Sequence, residues 1–312
     1  MSHTIVISEF MDSPAVDALR AKFDVLYAPG YVKQRAELLA AVKDVPALIV
    51  RNLTQVNREL LDAAPNLKVV GRLGVGLDNI DVDACEARGI KVIPATGANA
   101  LSVAEYTVCT AMLLLRTAYR STAQIAAGNW LKPELGRGRE ISGKTMGIIG
   151  FGCIGRLSAS LARPLGMKVI GHDINISDGD PIWGQSGVSP CTLDKLLADS
   201  DVVTLHVPLI ASTRNLLNAA NIAKMRAGAA LINTSRGGII DEAAVVEGLK
   251  SGRLGGAAID VFEREPLVAT PLFADVPNLL LTPHIAGITQ ESNRRVSDMI
   301  AAEITAFLSR NA

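Results

Sequence analysis

Thr145-Met-Gly-Ile-Ile-Gly-Phe-Gly-Cys-Ile-Gly155 decides the fold. Its apolar opening, Thr145–Ile149, reads as a buried strand. The strand runs into Gly150-Phe-Gly152-Cys-Ile-Gly155 and then into a helix reaching about Leu165. Gly-x-Gly-x-x-Gly alone is a weak signal in a chain with 27 glycines. Set between strand and helix, it is specific. The first glycine permits a tight turn, the second lets a pyrophosphate approach the backbone, and the third lets helix lie on strand. The helix N-terminus adds unpaired N–H groups and the positive end of a dipole. Asp173 follows the next apolar run, 168–171, near the expected spacing of ~20 residues. A carboxylate there bonds the ribose hydroxyls of NAD and repels the extra phosphate of NADP, and Ile174 and Asn175 bring no Arg to offset it. The cofactor reading is NAD. The plainer alternative is a tight turn beside a surface Asp.

Working outward, short β-rich runs alternate with helical ones on both sides. Before the turn, strands are expected at 5–8, 47–50, 68–71 and 91–93, with a helix at 15–22 after Asp12-Ser13-Pro14. After it, strands are expected at 202–206, 229–233, 257–260 and 279–282, with helices at 193–198, 220–225 and 242–251. Alternation of this kind predicts βαβ units around parallel sheets. The fold class is α/β, with two Rossmann-like domains. A long apolar helix at 101–119 and a polar arm at 129–139 separate the two series, and an amphipathic helix closes the chain at 290–310.

The chain has 312 residues, 49% hydrophobic and only 4% aromatic, so its cores are aliphatic. The length favours two domains. Lys plus Arg balances Asp plus Glu at 31 each, which points away from nucleic-acid and membrane-surface partners. Cys85, Cys109, Cys153 and Cys191 lack metal-ligand spacing, so free thiols and no metal are expected. Without a signal-peptide pattern or an uninterrupted apolar span, the expectation is a soluble, cytoplasmic protein.

Three polar residues fall where strands run out into turns, which is where open α/β sheets bind ligands. They are Arg236 in Asn233-Thr-Ser-Arg-Gly-Gly, Glu265 in Asp260-Val-Phe-Glu-Arg-Glu-Pro266, and His284 in Leu281-Thr-Pro-His-Ile-Ala-Gly287. Hydride transfer to a 2-keto acid requires a held carboxylate, a polarised carbonyl and a proton for the forming alkoxide. Arg236 has the planar donor fork for the first two. His284 titrates near neutrality and suits the third, and Glu265 can orient the imidazole and favour its protonated form. Singly, each reads as well as a salt-bridge partner, a turn carboxylate or a capped loop histidine. His206, in Leu205-His-Val-Pro208, has no acid at suitable spacing and reads as structural or cofactor-lining.

The chain resembles the D-isomer-specific 2-hydroxyacid dehydrogenases over essentially its full length. The matching strings are Gly71-Arg-Leu-Gly-Val-Gly-Leu-Asp-Asn-Ile-Asp81, Asn99-Ala-Leu-Ser-Val-Ala-Glu105, Gly150–Gly155, His206-Val-Pro208, Asn233–Gly237, Asp260–Pro266 and Thr282–Gly287. The resemblance implies a substrate domain of residues 1–99 plus 284–312, an NAD-binding domain of residues 100–283, and a cleft between them. It puts Arg236, Glu265 and His284 on catalytic positions. Cys153, Ile154, Asp173, His206, Val207, Pro208, Thr213, Thr234, Ser235, Arg236, Asp260, His284 and Gly287 join the Gly150, Gly152 and Gly155 turn as cofactor-binding positions. Val75 and Gly76 fall on the loop whose backbone holds the substrate carboxylate. A homodimer through 101–139 is also implied.

For the substrate, Ile49-Val-Arg51-Asn52 and Val70-Gly71-Arg72 resemble the phosphoglycerate dehydrogenase branch, without its C-terminal regulatory extension. Short relatives that oxidise 3-sulfolactate share the pattern. Arg51 and Arg72 would pair a second anionic group, with Lys132, Arg137 and Arg139 of the arm completing the site; their plain alternative is surface charge. A glyoxylate or hydroxypyruvate reductase, which needs no Arg51, stays open, as does an NAD(H)-sensing binding protein like the corepressors of this fold. A formate dehydrogenase is disfavoured, because that branch carries Gln where Glu265 stands.

Overall fold

The computed structural model describes residues 4–117 and 121–310. They form two α/β units. One takes the chain up to Asn99 together with the segment from Ile288 on, and the other runs Ala100–Gly287. The first holds β1 (Ile5–Ile7), β2 (Val25–Tyr27), β3 (Ala47–Val50), β4 (Val69–Arg72) and β5 (Lys91–Pro94), all parallel, in the order β2-β1-β3-β4-β5. Winding reverses between β1 and β3. Ile5, Ile7, Ala47, Ile49 and Val69 face one core, and Val6, Leu48, Val50 and Val70 face the other, as the period of two requires. Burial on both faces makes these strands continuous apolar runs. The helix Gln290–Arg310 covers the first face with Val296, Ile300, Ile304 and Leu308. Each such side chain contributes about 1.5–3 kcal/mol by leaving water. Gly71 makes room for it, since a Cβ there would stand 2.8 Å from Ile300.

The second unit holds β6 (Thr145–Ile149), β7 (Lys168–His172), β8 (Ser189–Pro190), β9 (Val202–Leu205), β10 (Ala229–Asn233), β11 (Leu254–Ile259) and β12 (Leu279–Leu281). All are parallel, in the order β12-β11-β10-β9-β6-β7-β8, with the reversal between β6 and β9. The helix Ala100–Arg116 packs Ala111, Leu114 and Leu115 against Met146, Ile148, Ala230 and Ile232. The expected helix at 101–119 thus stops at Arg116, and its end at Tyr119 lies outside the described residues. β11 begins three residues before the expected 257, through Gly255 and Gly256. These glycines admit the Gly228 carbonyl and the Asn278 side chain. The second unit also runs past the expected boundary at 283, to Gly287. Asp260 is the reason, because it holds the 284–286 backbone.

Candidate active site

The turn after β6 has the glycines it needs. Gly150 has φ +92°, and a Cβ there would collide with the His206 carbonyl. A Cβ on Gly155 would collide with the Gly150 carbonyl. At Gly152 the space is open. Helix Cys153–Ala162 starts here, and its first-turn amides have no intrahelical acceptor. Phe151 turns inward, fully buried, and stacks on Trp183 with centroids 4.4 Å apart. Asp173 ties the turn down. One carboxylate oxygen accepts from the Phe151 amide at 2.8 Å and the other from the Asn175 amide at 2.8 Å. The acid at this spacing therefore shapes the phosphate turn, a use that spacing alone did not reveal.

Arg236, Glu265 and His284 all belong to the second unit and lie beyond the C-terminal ends of β10, β11 and β12. Buried Asn233 ends β10 and folds the Arg236 turn. Its Nδ2 donates to the Arg236 carbonyl at 3.0 Å, and its Oδ1 accepts from the Ser235 amide at 3.1 Å. Arg236 Nη1 donates to the Ser235 carbonyl at 2.6 Å. Glu265 bridges two groups: Oε1 accepts from the Phe262 amide at 2.9 Å, and Oε2 lies 2.7 Å from His284 Nδ1. The acid thus fixes one edge of the imidazole and leaves Nε2 for chemistry. His284 has φ +57°, a left-handed conformation that a side-chain-bearing residue keeps only when its surroundings impose it. Its amide donates to the Asp260 carbonyl at 2.7 Å and the Thr282 carbonyl at 3.0 Å. Asp260, 1% exposed, accepts from Thr282 Oγ1 at 2.6 Å and from the amides of Ile285 and Ala286 at 2.8 and 2.9 Å. Tyr106 OH lies 2.6 Å from Thr282 Oγ1 and extends the network. The sequence reading did not single out Asn233, Thr282 or Tyr106 as site residues, because their work is to hold turns.

A model of the NAD binding domain of D-isomer specific 2-hydroxyacid dehydrogenases matches residues 108–286. The chain is 49% identical over 293 residues to an (S)-sulfolactate dehydrogenase of Chromohalobacter salexigens, covering 94% of this chain and 94% of that one. It is 37% identical over 304 residues to a hydroxypyruvate reductase of Thermotoga maritima, covering 97% of each. The chain belongs to the D-isomer-specific 2-hydroxyacid dehydrogenases. A D-lactate dehydrogenase of Aquifex aeolicus, solved with NAD and lactic acid, superposes at a TM-score of 0.82 and 29% identity, over 98% of this chain and 95% of that one. The protein is therefore an NAD-dependent oxidoreductase of 2-hydroxy acids.

The dehydrogenase's own residues fit NAD. The open side of Gly152 leaves room for a close approach, and Thr234 Oγ1 is buried without a hydrogen-bond partner among the described residues, so it retains capacity for a ligand. Ser235 Oγ is used internally, donating to the Leu205 carbonyl at 2.5 Å. Thr213 Oγ1 donates to the Pro208 carbonyl at 2.6 Å and accepts from the Ile210 amide at 2.8 Å, which holds the Val207–Pro208 loop. Cys153 and Ile154 open the phosphate-turn helix, and Gly287 ends the unit. His206 Nε2 lies 3.2 Å from Thr204 Oγ1. Surrounding protein pushes its pKa down to about 3, so it is neutral at ordinary pH and supplies no acid.

In the first unit, Arg72 at the end of β4 is folded onto its own loop. Its Nη1 donates to the Leu73 carbonyl at 3.1 Å and occupies the space that a side chain on Gly74 would need. Beyond lie Val75, 38% exposed, and Gly76. Arg51 leaves β3 partly exposed. The arm cation Arg139 is committed elsewhere, to Asp201 at 3.5 Å and the Gly228 carbonyl at 2.7 Å.

Proposed function

We propose that this dehydrogenase interconverts a 2-hydroxy acid and its 2-keto acid whose far end carries a second anion, a sulfonate or a phosphate. One observation carries the reading. The Arg51 guanidinium donates to a neutral amide, Asn293 Oδ1 at 2.6 Å, and among the described residues it forms no ion pair with a carboxylate. Its charge is left for a ligand. Arg72 shapes the Val75–Gly76 loop, whose backbone N–H groups take the 2-carboxylate. Arg236 pairs that carboxylate and polarises the carbonyl oxygen. His284, steadied by Glu265, gives a proton to that oxygen in reduction and removes it in oxidation. NAD supplies the hydride acceptor, or NADH the donor. The relative named for (S)-sulfolactate supports the sulfonate case. Its (S) label agrees with a D arrangement, because sulfur raises the CH2–SO3 group above the carboxyl in the priority order.

The protein acts as a cytoplasmic homodimer. Leu101, Met112, Ile125 and Trp130 support pairing through 101–139, being 40%, 41%, 40% and 75% exposed. Among the described residues no helix is long and apolar enough to cross a membrane. The test is NADH oxidation with 3-sulfopyruvate, 3-phosphohydroxypyruvate, hydroxypyruvate and glyoxylate. One of the first two should exceed the uncharged-tail substrates in kcat/KM by about tenfold or more, the worth of one charge-assisted contact. Equal or better turnover of hydroxypyruvate or glyoxylate overturns the second-anion reading.

A further inference from the structure

Arg51 sits where the winding of the first sheet reverses, beyond the ends of β1 and β3, a position at which doubly wound sheets bind ligands. Its surroundings are built. Glu9, two residues past β1 and 4% exposed, accepts four backbone amides. Oε1 takes Arg51 and Thr54 at 2.8 and 2.9 Å, and Oε2 takes Asn52 and Leu53 at 3.2 and 3.1 Å. Ser8 Oγ and Thr54 Oγ1 lie 3.0 Å apart, and Asn79 Nδ2 donates to the Thr54 carbonyl at 2.7 Å. The 51–54 loop is therefore rigid, and the negative charge nearest Arg51 is turned onto backbone donors. The side chain is set by two more groups. Its guanidinium lies over the Phe10 ring, 5.7 Å from the centroid, and its Nη2 meets Asn293 in the first turn of helix Gln290–Arg310.

Resting on the reading of Arg51 as the second-anion site, we propose that Asn293 is a specificity-determining positioning residue, which fixes the Arg51 guanidinium without cancelling its charge. An amide oxygen is the acceptor that does this. A carboxylate at 293 would form an ion pair and compete with the substrate's anion. An apolar side chain would leave the long arginine free among its rotamers, and the ordering cost would fall on substrate binding. Phe10 adds a cation–π face that is also uncharged. Partial burial works in the same direction: it lowers the Arg51 pKa, opposed by the field of Glu9, and a cation already stripped of some water gains more from an anion. Asn293 Nδ2 remains able to donate to the same ligand.

The experiment measures kcat/KM for 3-sulfopyruvate, 3-phosphohydroxypyruvate and hydroxypyruvate in one preparation of each variant. The ratio of the better anionic substrate to hydroxypyruvate is then taken. The active-enzyme concentration cancels in that ratio, so partial misfolding does not distort it. Arg51→Ala should lower the ratio about 100-fold and Asn293→Leu about tenfold. Asn293→Asp should fall at least as far as Asn293→Leu, whereas Asn293→Gln, which keeps the amide oxygen, should stay within about threefold of wild type. The double variant Arg51→Ala/Asn293→Leu should be no worse than Arg51→Ala alone, as expected for one residue acting through another. A ratio within twofold of wild type in both Asn293→Leu and Asn293→Asp, with Arg51→Ala strongly reduced, overturns the positioning role and leaves the Arg51 assignment standing. An unchanged ratio in Arg51→Ala overturns that assignment, and the role of Asn293 with it.

Discussion

The two units share an architecture and use it differently. Each is an all-parallel sheet whose winding reverses beside its first strand, β1 in one and β6 in the other. Each also has a carboxylate just past a strand that accepts backbone amides. In the first unit Glu9 takes four amides of the 51–54 loop, and the polar group left outward is a cation, Arg51. In the second, Asp173 takes the amides of Phe151 and Asn175. The first-turn amides of Cys153–Ala162 are left as an anion site. On the proposed reading, the same fold yields a side-chain anion site at one reversal point and a backbone anion site at the other. The difference lies in which donors the chain's own acids consume, not in topology.

The comparison predicts that the chemistry sits in the second unit and substrate selection in the first. The largest effect belongs to His284. His284→Asn should lower kcat by about 10²–10⁴ while NADH affinity by fluorescence titration changes less than about twofold. A loss confined to NADH affinity would break the division. Next comes Glu9→Gln, which weakens four amide contacts of a buried carboxylate. It should lower unfolding stability by about 1.5–3 kcal/mol in denaturant melts, and an unchanged midpoint would show that the first reversal point is not held by its acid. At the second, Gly150 and Gly152 should separate. Gly150→Ala should destabilise by about 1–3 kcal/mol, from positive φ and a backbone collision. Gly152→Ala should melt like wild type but bind NADH about tenfold more weakly. Weakened folding in both would mean that the open side of the turn is structural.

Taken per pH unit, the smallest effect is a stability slope. His206 has a folded pKa of about 3, against an ordinary 6.5. Between these values the unfolded chain holds a proton that the native protein lacks, so stability rises with pH and is lost as pH falls from 6.5 toward 3. His206→Gln should remove up to about 1.4 kcal/mol per pH unit of that slope. Identical slopes in equilibrium melts would place His206 in water.

Legibility followed the range of the signal. Thr145–Ile149 and Ala229–Asn233 could be read because strands buried on two faces are apolar without interruption. β2 and β8 escaped because Val25-Leu-Tyr27 is short and runs straight into Ala28-Pro29, and Ser189-Pro190 has no apolar run, whereas β12, equally short and also at an edge, is three leucines. The placement of Arg236, Glu265 and His284 beyond β10, β11 and β12 was legible because each follows a strand within a short, distinctive string. Glu9 and Asn293 were not. Their partners are backbone amides and a guanidinium far along the chain, separated by 42 and 242 positions for Arg51 alone, and such pairings leave no local pattern. The resemblance of Val70-Gly71-Arg72 to the phosphoglycerate dehydrogenase branch points to Arg72 as a second-anion partner and says nothing of its contact with the Leu73 carbonyl. The vacant Cβ of Gly74, which lets Arg72 fold onto its own loop, shows only in three dimensions.

The helix Gln290–Arg310 has a consequence for biosynthesis. It completes the core over β1, β3 and β4 with Val296, Ile300 and Ile304, which lie more than two hundred positions beyond the strands they cover. A ribosome making this chain releases β1–β5 first and this helix after the whole second unit. Until this helix emerges, Ile5, Ile7, Ile49 and Val69 are covered on that face only in part, by Met11, Val16 and Leu19 of the same core. The nascent N-terminal sheet is thus the part most in need of chaperone cover.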